Sequence, residues 1–115
     1  MEKKLVLVTG ASRGIGRAIA ERFARAGYYV VLNGRKEESL AETVRRLQEM
    51  GLACEGIPAD VSDPAAVKEL FGRLRQIAAR ENCPGIIDVL INNAGIAHIG
   101  LLQDMDPREW RRILD

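Results

Sequence analysis

The sequence has 115 residues, of which 47% are hydrophobic and 29% are charged, with a formal net charge of +1 at neutral pH. This length makes one domain, and the composition is that of an ordinary globular protein rather than a disordered one. The near balance of charge argues against nucleic acid or an anionic membrane as an obligatory partner.

The cysteines and the N-terminus indicate the cellular compartment of the protein. Cys54 and Cys83 lie far apart in the sequence and form no C-x-x-C pair, so no disulfide framework is indicated. The basic start is followed by only four consecutive apolar residues, Leu5–Val8, too few for a signal peptide or a membrane span. We therefore predict a cytoplasmic protein.

Four short apolar runs are typical of strands buried in a parallel sheet. Leu5–Val8 and Tyr29–Leu32 are continuous, Ala53–Pro58 is a weaker candidate, and Ile86–Ile91 forms the fourth strand around Asp88.

Helical periodicity fills the segments between these runs. The first predicted helix ends at Gly27, the second covers Ser39–Met50, and the third opens at Ser62-Asp63-Pro64, which supplies a capping oxygen and a first-turn proline. Their predicted core positions are Ile15, Ile19, Phe23 and Ala26, then Leu40, Val44 and Leu47, then Val67, Leu70, Phe71, Leu74, Ile77 and Ala78.

This alternation predicts an α/β fold, a doubly wound parallel sheet of the Rossmann type. Asp106–Glu109 opens one more helix as a capping box, and the sequence stops at Asp115, barely two turns into it. Because a sheet of about four strands would leave a long apolar edge bare, we expect residues 1–115 to be the truncated N-terminal portion of a single longer domain.

The most informative stretch is Thr9–Gly16, TGASRGIG, between the first strand and the first helix. Free N–H groups at a helix N-terminus suit a pyrophosphate. Gly10, Gly14 and Gly16 would remove Cβ atoms at the turn, at the phosphate contact and at the helix–sheet packing point, as in the G-x-G-x-x-G loop. The spacing here, G-x-x-x-G-x-G, departs from that loop and from the phosphate loop G-x-x-x-x-G-K-S/T. A tight turn without a ligand is the alternative.

The loop closely resembles the cofactor loop of the short-chain dehydrogenase/reductase family. Two more motifs agree in order and distance, Asp60-Val61 after the third strand and Asn92-Asn93-Ala94-Gly95 after the fourth. The resemblance covers the whole sequence and is closest to the β-ketoacyl carrier-protein reductases.

The resemblance, together with the residue chemistry, gives a predicted cofactor site. Asp60 would accept a hydrogen bond from the adenine amino group, while the backbone of Val61 closes over the ring. The alternative is that Asp60 caps the next helix, although Ser62 and Asp63 lie nearer to that position. The predicted cofactor-binding residues are Gly10, Ser12, Arg13, Gly14, Ile15, Gly16, Arg35, Asp60, Val61, Asn93, Ala94 and Gly95.

The residues after the second strand predict NADP(H) rather than NAD. A carboxylate expected there for the ribose 2′-hydroxyl of NAD is missing before Glu37, and Arg35 stands in the same segment. Together with Arg13 in the glycine loop, Arg35 could bind a 2′-phosphate through paired charge-assisted hydrogen bonds. A solvated Arg35 at a strand end is the alternative.

The family resemblance implies hydride transfer between a nicotinamide and a carbonyl or alcohol, with a serine, an asparagine, a tyrosine and a lysine at the catalytic site. Tyr28 and Tyr29 belong to no Y-x-x-x-K motif, so no catalytic residue is assigned in this sequence. His98 is the single histidine, so no metal site is indicated; we interpret it as a solvated loop residue, with substrate contact as the alternative.

Two hypotheses for function remain. One is an NADP(H)-dependent oxidoreductase acting on a small-molecule carbonyl or alcohol, a homo-oligomer at full length, of which this is the N-terminal portion. The other is a non-catalytic nucleotide-binding module that ends at residue 115. Trp110 would anchor the last helix against the sheet or a partner subunit.

Overall fold

The protein is described by a computed structural model that covers residues 2–12 and 14–91. Strands and helices alternate throughout this part of the chain: β1 Leu5–Val8, α1 Gly14–Arg25, β2 Tyr29–Gly34, α2 Glu37–Glu49, β3 Cys54–Pro58, α3 Pro64–Arg80 and β4 Val89–Ile91. No helix among these residues is long and apolar enough to cross a bilayer. The helix predicted from Asp106 lies outside the described residues.

The four strands form one parallel sheet in the order β3-β2-β1-β4. Val8 at the end of β1 pairs with Leu32 on one side and with Ile91 on the other, while Gly34 pairs with Pro58. Strand order runs outward in both directions from β1, which is the doubly wound arrangement of the Rossmann fold. The predicted fold class is confirmed, and the carboxyl ends of all four strands lie along one edge.

Apolar clusters cover both faces of the sheet. Leu5 and Leu7 face α3, whereas Val6 and Val8 face α1 and α2. Because successive strand residues point to opposite faces, the uninterrupted apolar sequence of β1 follows from burial on both sides. Cys54 is buried in the second cluster, as predicted, and burial raises the pKa of its thiol to about 11.

The prediction of the core residues of α1 was wrong for Ile15 and Ala26. Gly16, Ala20 and Ala24 form the buried stripe, whereas Ile15 is 71% exposed. The buried positions recur every four residues, as one face of a helix requires, and they carry the smallest side chains available. Ile19 and Phe23 flank this stripe and are partly buried, while the predicted core residue Ala26 is exposed.

The predicted helix boundaries are largely confirmed. Gly27 (φ +94°) and Gly51 (φ +80°) end α1 and α2 in the left-handed conformation. In both cases two N–H groups turn back to the last helical carbonyls in the Schellman pattern. Asp63 caps α3, its carboxylate accepting from the Ala65 N–H at 3.1 Å.

Two strand boundaries differ from the prediction. β2 continues two residues further, through Asn33 to Gly34, whereas β4 begins only at Val89. The predicted start at Ile86 is excluded because that residue has φ +64°, which is not extended backbone. The Asp88 carboxylate instead accepts the Leu5 N–H at 2.8 Å and joins the incoming segment to β1.

A charged cluster lies at the amino ends of β2 and β3. The Tyr29 hydroxyl donates to Glu55 at 2.6 Å, and Arg80 pairs with both Glu55 and Glu81. Lys3 pairs with Glu81 at 3.0 Å. Burial, reinforced by the Glu55 carboxylate, raises the pKa of Tyr29, so this hydroxyl stays protonated and is committed to a structural bond.

Two glycines give a stability prediction for this core. A Cβ on Gly56 would lie 2.9 Å from Val44 Cγ2 and 3.1 Å from Leu40 Cγ, neither of which is a freely moving side-chain end. Gly56→Ala should therefore lower the free energy of unfolding by about 1–3 kcal/mol. Gly72, exposed within α3, has open space at its Cβ position, so Gly72→Ala should raise it by about 0.5–1 kcal/mol. Urea unfolding of both variants measures this, and equal stabilities would contradict the packing described.

Candidate cofactor site

The glycine loop lies at the carboxyl edge of the sheet, between the end of β1 and the start of α1. Ligands of doubly wound sheets bind at this edge, where strand order reverses. The segments after β2 and β3, which carry Arg35, Asp60 and Val61, open onto the same edge. The fold thus brings the predicted residues from three separate segments to one side of the molecule.

The glycines of the loop have conformations that explain their presence. Gly10 (φ +60°) and Gly14 (φ +66°) both lie in the left-handed region, which other residues adopt at a cost of about 1–2 kcal/mol. A Cβ on Gly14 would meet no atom within 4 Å. Gly16 is buried on the sheet-facing side of α1, as predicted for a packing position. The open space at Gly14 is the place where another molecule could approach the backbone.

Hydrogen bonds to β4, β2 and α2 tether the described part of the loop to its surroundings. The Thr9 N–H donates to the Ile91 carbonyl of β4 at 3.0 Å, and the Ala11 N–H donates to the Asn33 carbonyl of β2 at 2.8 Å. On the far side, the Thr43 hydroxyl of α2 donates to the Ser12 carbonyl at 2.6 Å. The loop is therefore held from β4, β2 and α2 before any ligand is present.

Asn33 and Gly34, at the end of β2, shape this edge and were not predicted as site residues. Asn33 is 2% exposed, and its side-chain amide donates to the carbonyls of Ile57 and Ala59 at 3.0 and 3.2 Å. A Cβ on Gly34 would come within 3.3 Å of the Ser12 side chain. The absence of a side chain at Gly34 lets the loop lie close against β2.

Arg35 and Asp60, predicted separately, lie next to one another. Arg35 Nε is 4.0 Å from Asp60 Oδ2, with the Arg35 side chain 71% and the Asp60 side chain 42% exposed. Asp60 Oδ1 accepts from the N–H and the hydroxyl of Ser62 at 2.9 and 2.6 Å. Asp63 caps α3, so Asp60 is not the capping residue. A surface pair at this distance contributes little to stability, which leaves the guanidinium available to a ligand.

The other predicted site residues divide into two groups. Val61 is buried against α3, and exposed Ile15 lies one residue beyond Gly14, beside the open edge. The remaining predictions fall outside the described residues; they concern Arg13, Asn93, Ala94 and Gly95, together with Asn92, His98 and Trp110.

A cleft of about 380 Å³ opens between the glycine loop and α2. Its lining includes Ser12 and Thr43, with Arg17 of α1 and Arg46 of α2. Arg46 pairs with Glu42 at 3.0 Å across one helical turn, as expected of a solvated helix face. Across residues 2–12 and 14–91 no group of three or more histidine, cysteine, aspartate or glutamate side chains could hold a metal ion.

The fold and its glycine loop define a Rossmann-type α/β protein. A family model described as short chain dehydrogenase matches residues 4–115. The chain belongs to the short-chain dehydrogenase family.

Individual relatives agree with this assignment. A 3beta-hydroxysteroid dehydrogenase of Mediterraneibacter gnavus is 38% identical over 115 residues, covering 99% of this chain and 40% of the relative. The 3-oxoacyl-(acyl-carrier-protein) reductase FabG of Staphylococcus aureus is 40% identical over 114 residues, covering 97% and 44%. The chain thus spans 40% to 44% of the length of these relatives.

A solved structure, the Pseudomonas aeruginosa RhlG/NADP active-site complex, superimposes with a TM-score of 0.70 at 40% identity. The match covers 84% of this chain and 36% of that one.

Proposed function

We propose that the protein is an NADP(H)-dependent oxidoreductase that acts on a small-molecule carbonyl or alcohol. In this proposal residues 1–115 form the N-terminal, cofactor-binding portion of one longer Rossmann domain, and the catalytic residues belong to the remainder. Bound nicotinamide would supply or accept the hydride; the described residues bind and orient the dinucleotide.

The observation that carries the proposal is the backbone conformation of Gly14, together with the open space beside it. Its backbone is in the left-handed conformation, and the space that a Cβ would fill is open at the carboxyl edge of the sheet. A turn without a ligand needs a glycine for the backbone conformation, but it does not need open space at a helix N-terminus. A diphosphate approaching the backbone there uses both features.

Two further residues support the proposal. Exposed Ile15 places an apolar side chain at the open edge, where it contributes nothing to the core. Arg35 is exposed after β2 and could bind a 2′-phosphate, which NAD lacks. RhlG, whose structure is an NADP complex, is similar to this chain in sequence and fold.

The proposal predicts tight and selective binding of NADPH. We expect the full-length protein to bind NADPH at least about tenfold more tightly than NADH, because a hydrogen bond to a charged group is worth about 1.5–3 kcal/mol. Fluorescence titration with each nucleotide measures the ratio, and absorbance then follows NADPH oxidation with ketone substrates. Failure to bind either nucleotide would contradict the proposal; binding without turnover of any carbonyl or alcohol would favour a non-catalytic module. Cytoplasmic location and homo-oligomeric assembly stay predictions.

A further inference from the structure

We propose that Thr43 of α2 is a positioning residue for the glycine loop, setting its conformation for the dinucleotide through the Ser12 carbonyl. This inference rests on the proposed function. It gives α2 a role in binding of the dinucleotide, although α2 supplies none of the predicted cofactor contacts.

Thr43 is a polar residue in a buried apolar stripe. Leu40, Val44 and Leu47 fill the neighbouring positions of the same helix face, and Thr43 itself is 3% exposed. A buried hydroxyl is unfavourable unless it is hydrogen-bonded. A helical threonine commonly donates to a carbonyl one turn back in its own helix. Thr43 instead donates at 2.6 Å to Ser12, 31 residues earlier in the sequence.

The bond acts on the most adaptable part of the loop. Ser12 lies between Gly10 and Gly14, both with positive φ. Since glycine retains more backbone freedom than other residues, a loop built on two of them has a weak conformational preference of its own. A contact that fixes the carbonyl between them removes much of that freedom before the ligand arrives. Pre-ordering of this kind raises affinity without adding a ligand contact.

The surroundings of Thr43 allow its effect on the loop to be measured apart from its effect on the stability of the whole fold. The cleft of about 380 Å³ is lined by both Ser12 and Thr43, and Ser12 is only partly buried, so we expect water to replace the hydroxyl at the Ser12 carbonyl when the hydroxyl is removed. We therefore expect loss of the bond to release the loop without leaving an unsatisfied acceptor. The Ala11 bond to Asn33 and the close approach of Gly34 still hold the loop from the β2 side.

The test compares Thr43→Val, which removes the hydroxyl, with Thr43→Ser, which keeps it, in the full-length protein. We expect the Kd for NADPH to rise about tenfold in Thr43→Val, because a tenfold change corresponds to the loss of about one hydrogen bond that orders the loop. In Thr43→Ser the Kd should stay within about twofold of the wild-type value. Val44→Ala is the matched control: it truncates the next buried residue of α2, so it should lower the urea midpoint and leave Kd unchanged.

A second measurement needs no cofactor. Hydrogen exchange of the free protein should become faster over residues 10–16 in Thr43→Val while β1 and α2 keep their protection. An unchanged loop exchange rate would overturn the inference, as would equal loss of affinity in Thr43→Ser and Thr43→Val. If wild type binds no NADPH, the proposed function fails, and the exchange experiment still decides whether Thr43 positions the loop.

Discussion

Gly14→Ala is expected to weaken NADPH binding by about a hundredfold or more. The added methyl group would occupy the open space beside the backbone, where the proposed diphosphate approaches, and alanine at φ +66° is strained by about 1–2 kcal/mol. Fluorescence titration of the full-length variant measures Kd, and urea unfolding measures the strain.

Gly51→Ala is the matched control for this prediction. Gly51 also has a positive φ of +80° and open space at its Cβ position, but it follows α2 near the amino end of β3, away from the loop. It should show a similar loss of stability with unchanged affinity. If Gly14→Ala binds NADPH as wild type does, the proposed place of the diphosphate is wrong.

Arg35→Asp should reverse the preference between the two nucleotides. The substitution removes the guanidinium proposed for the 2′-phosphate, and the new carboxylate repels that phosphate while offering an acceptor to the ribose 2′-hydroxyl of NADH. At about 1.5–3 kcal/mol for a charged hydrogen bond, the ratio of Kd for NADPH to Kd for NADH should rise about tenfold to a hundredfold. Paired titrations with both nucleotides give this ratio.

Arg75→Asp controls for the change in net charge. Arg75 is an exposed residue of α3, so its replacement alters total charge equally without altering the proposed site. Because Arg35 is exposed and its pair with Asp60 spans 4.0 Å, neither variant should lose much stability. An unchanged ratio in Arg35→Asp would remove Arg35 from the site, and with it the part of the argument for NADP(H) that depends on this residue.

The order of strands and helices could be predicted because each depends on local sequence. β1 is apolar on both faces, Gly27 and Gly51 end helices through their own backbone conformation, and Asp63-Pro64 opens α3. Such signals lie within a few residues of the element that they determine. The glycine loop was found for the same reason, since its glycines and the strand before it are contiguous.

Features that depend on distant contacts could not be predicted. The bond from Thr43 to Ser12 joins residues 31 positions apart, and the sequence shows only a threonine among apolar residues. That interruption of the stripe formed by Leu40, Val44 and Leu47 was a usable signal. Ile15 was wrongly predicted to be buried because its spacing matched that of Ile19 and Phe23. The α1 residues that are buried are the smaller Gly16, Ala20 and Ala24.

The position of β1 between β2 and β4 has a consequence for synthesis on the ribosome. β1 is made first, yet one of its hydrogen-bonding sides is completed only when β4 emerges, and the Thr9 contact to Ile91 spans 82 residues. Until then one edge of this apolar strand stays unpaired in the nascent chain, and such an edge is a target for chaperones and for aggregation. The contact between the loop and β4 is missing over the same interval, so we expect a nascent chain to acquire coenzyme only after residue 91 has left the exit tunnel.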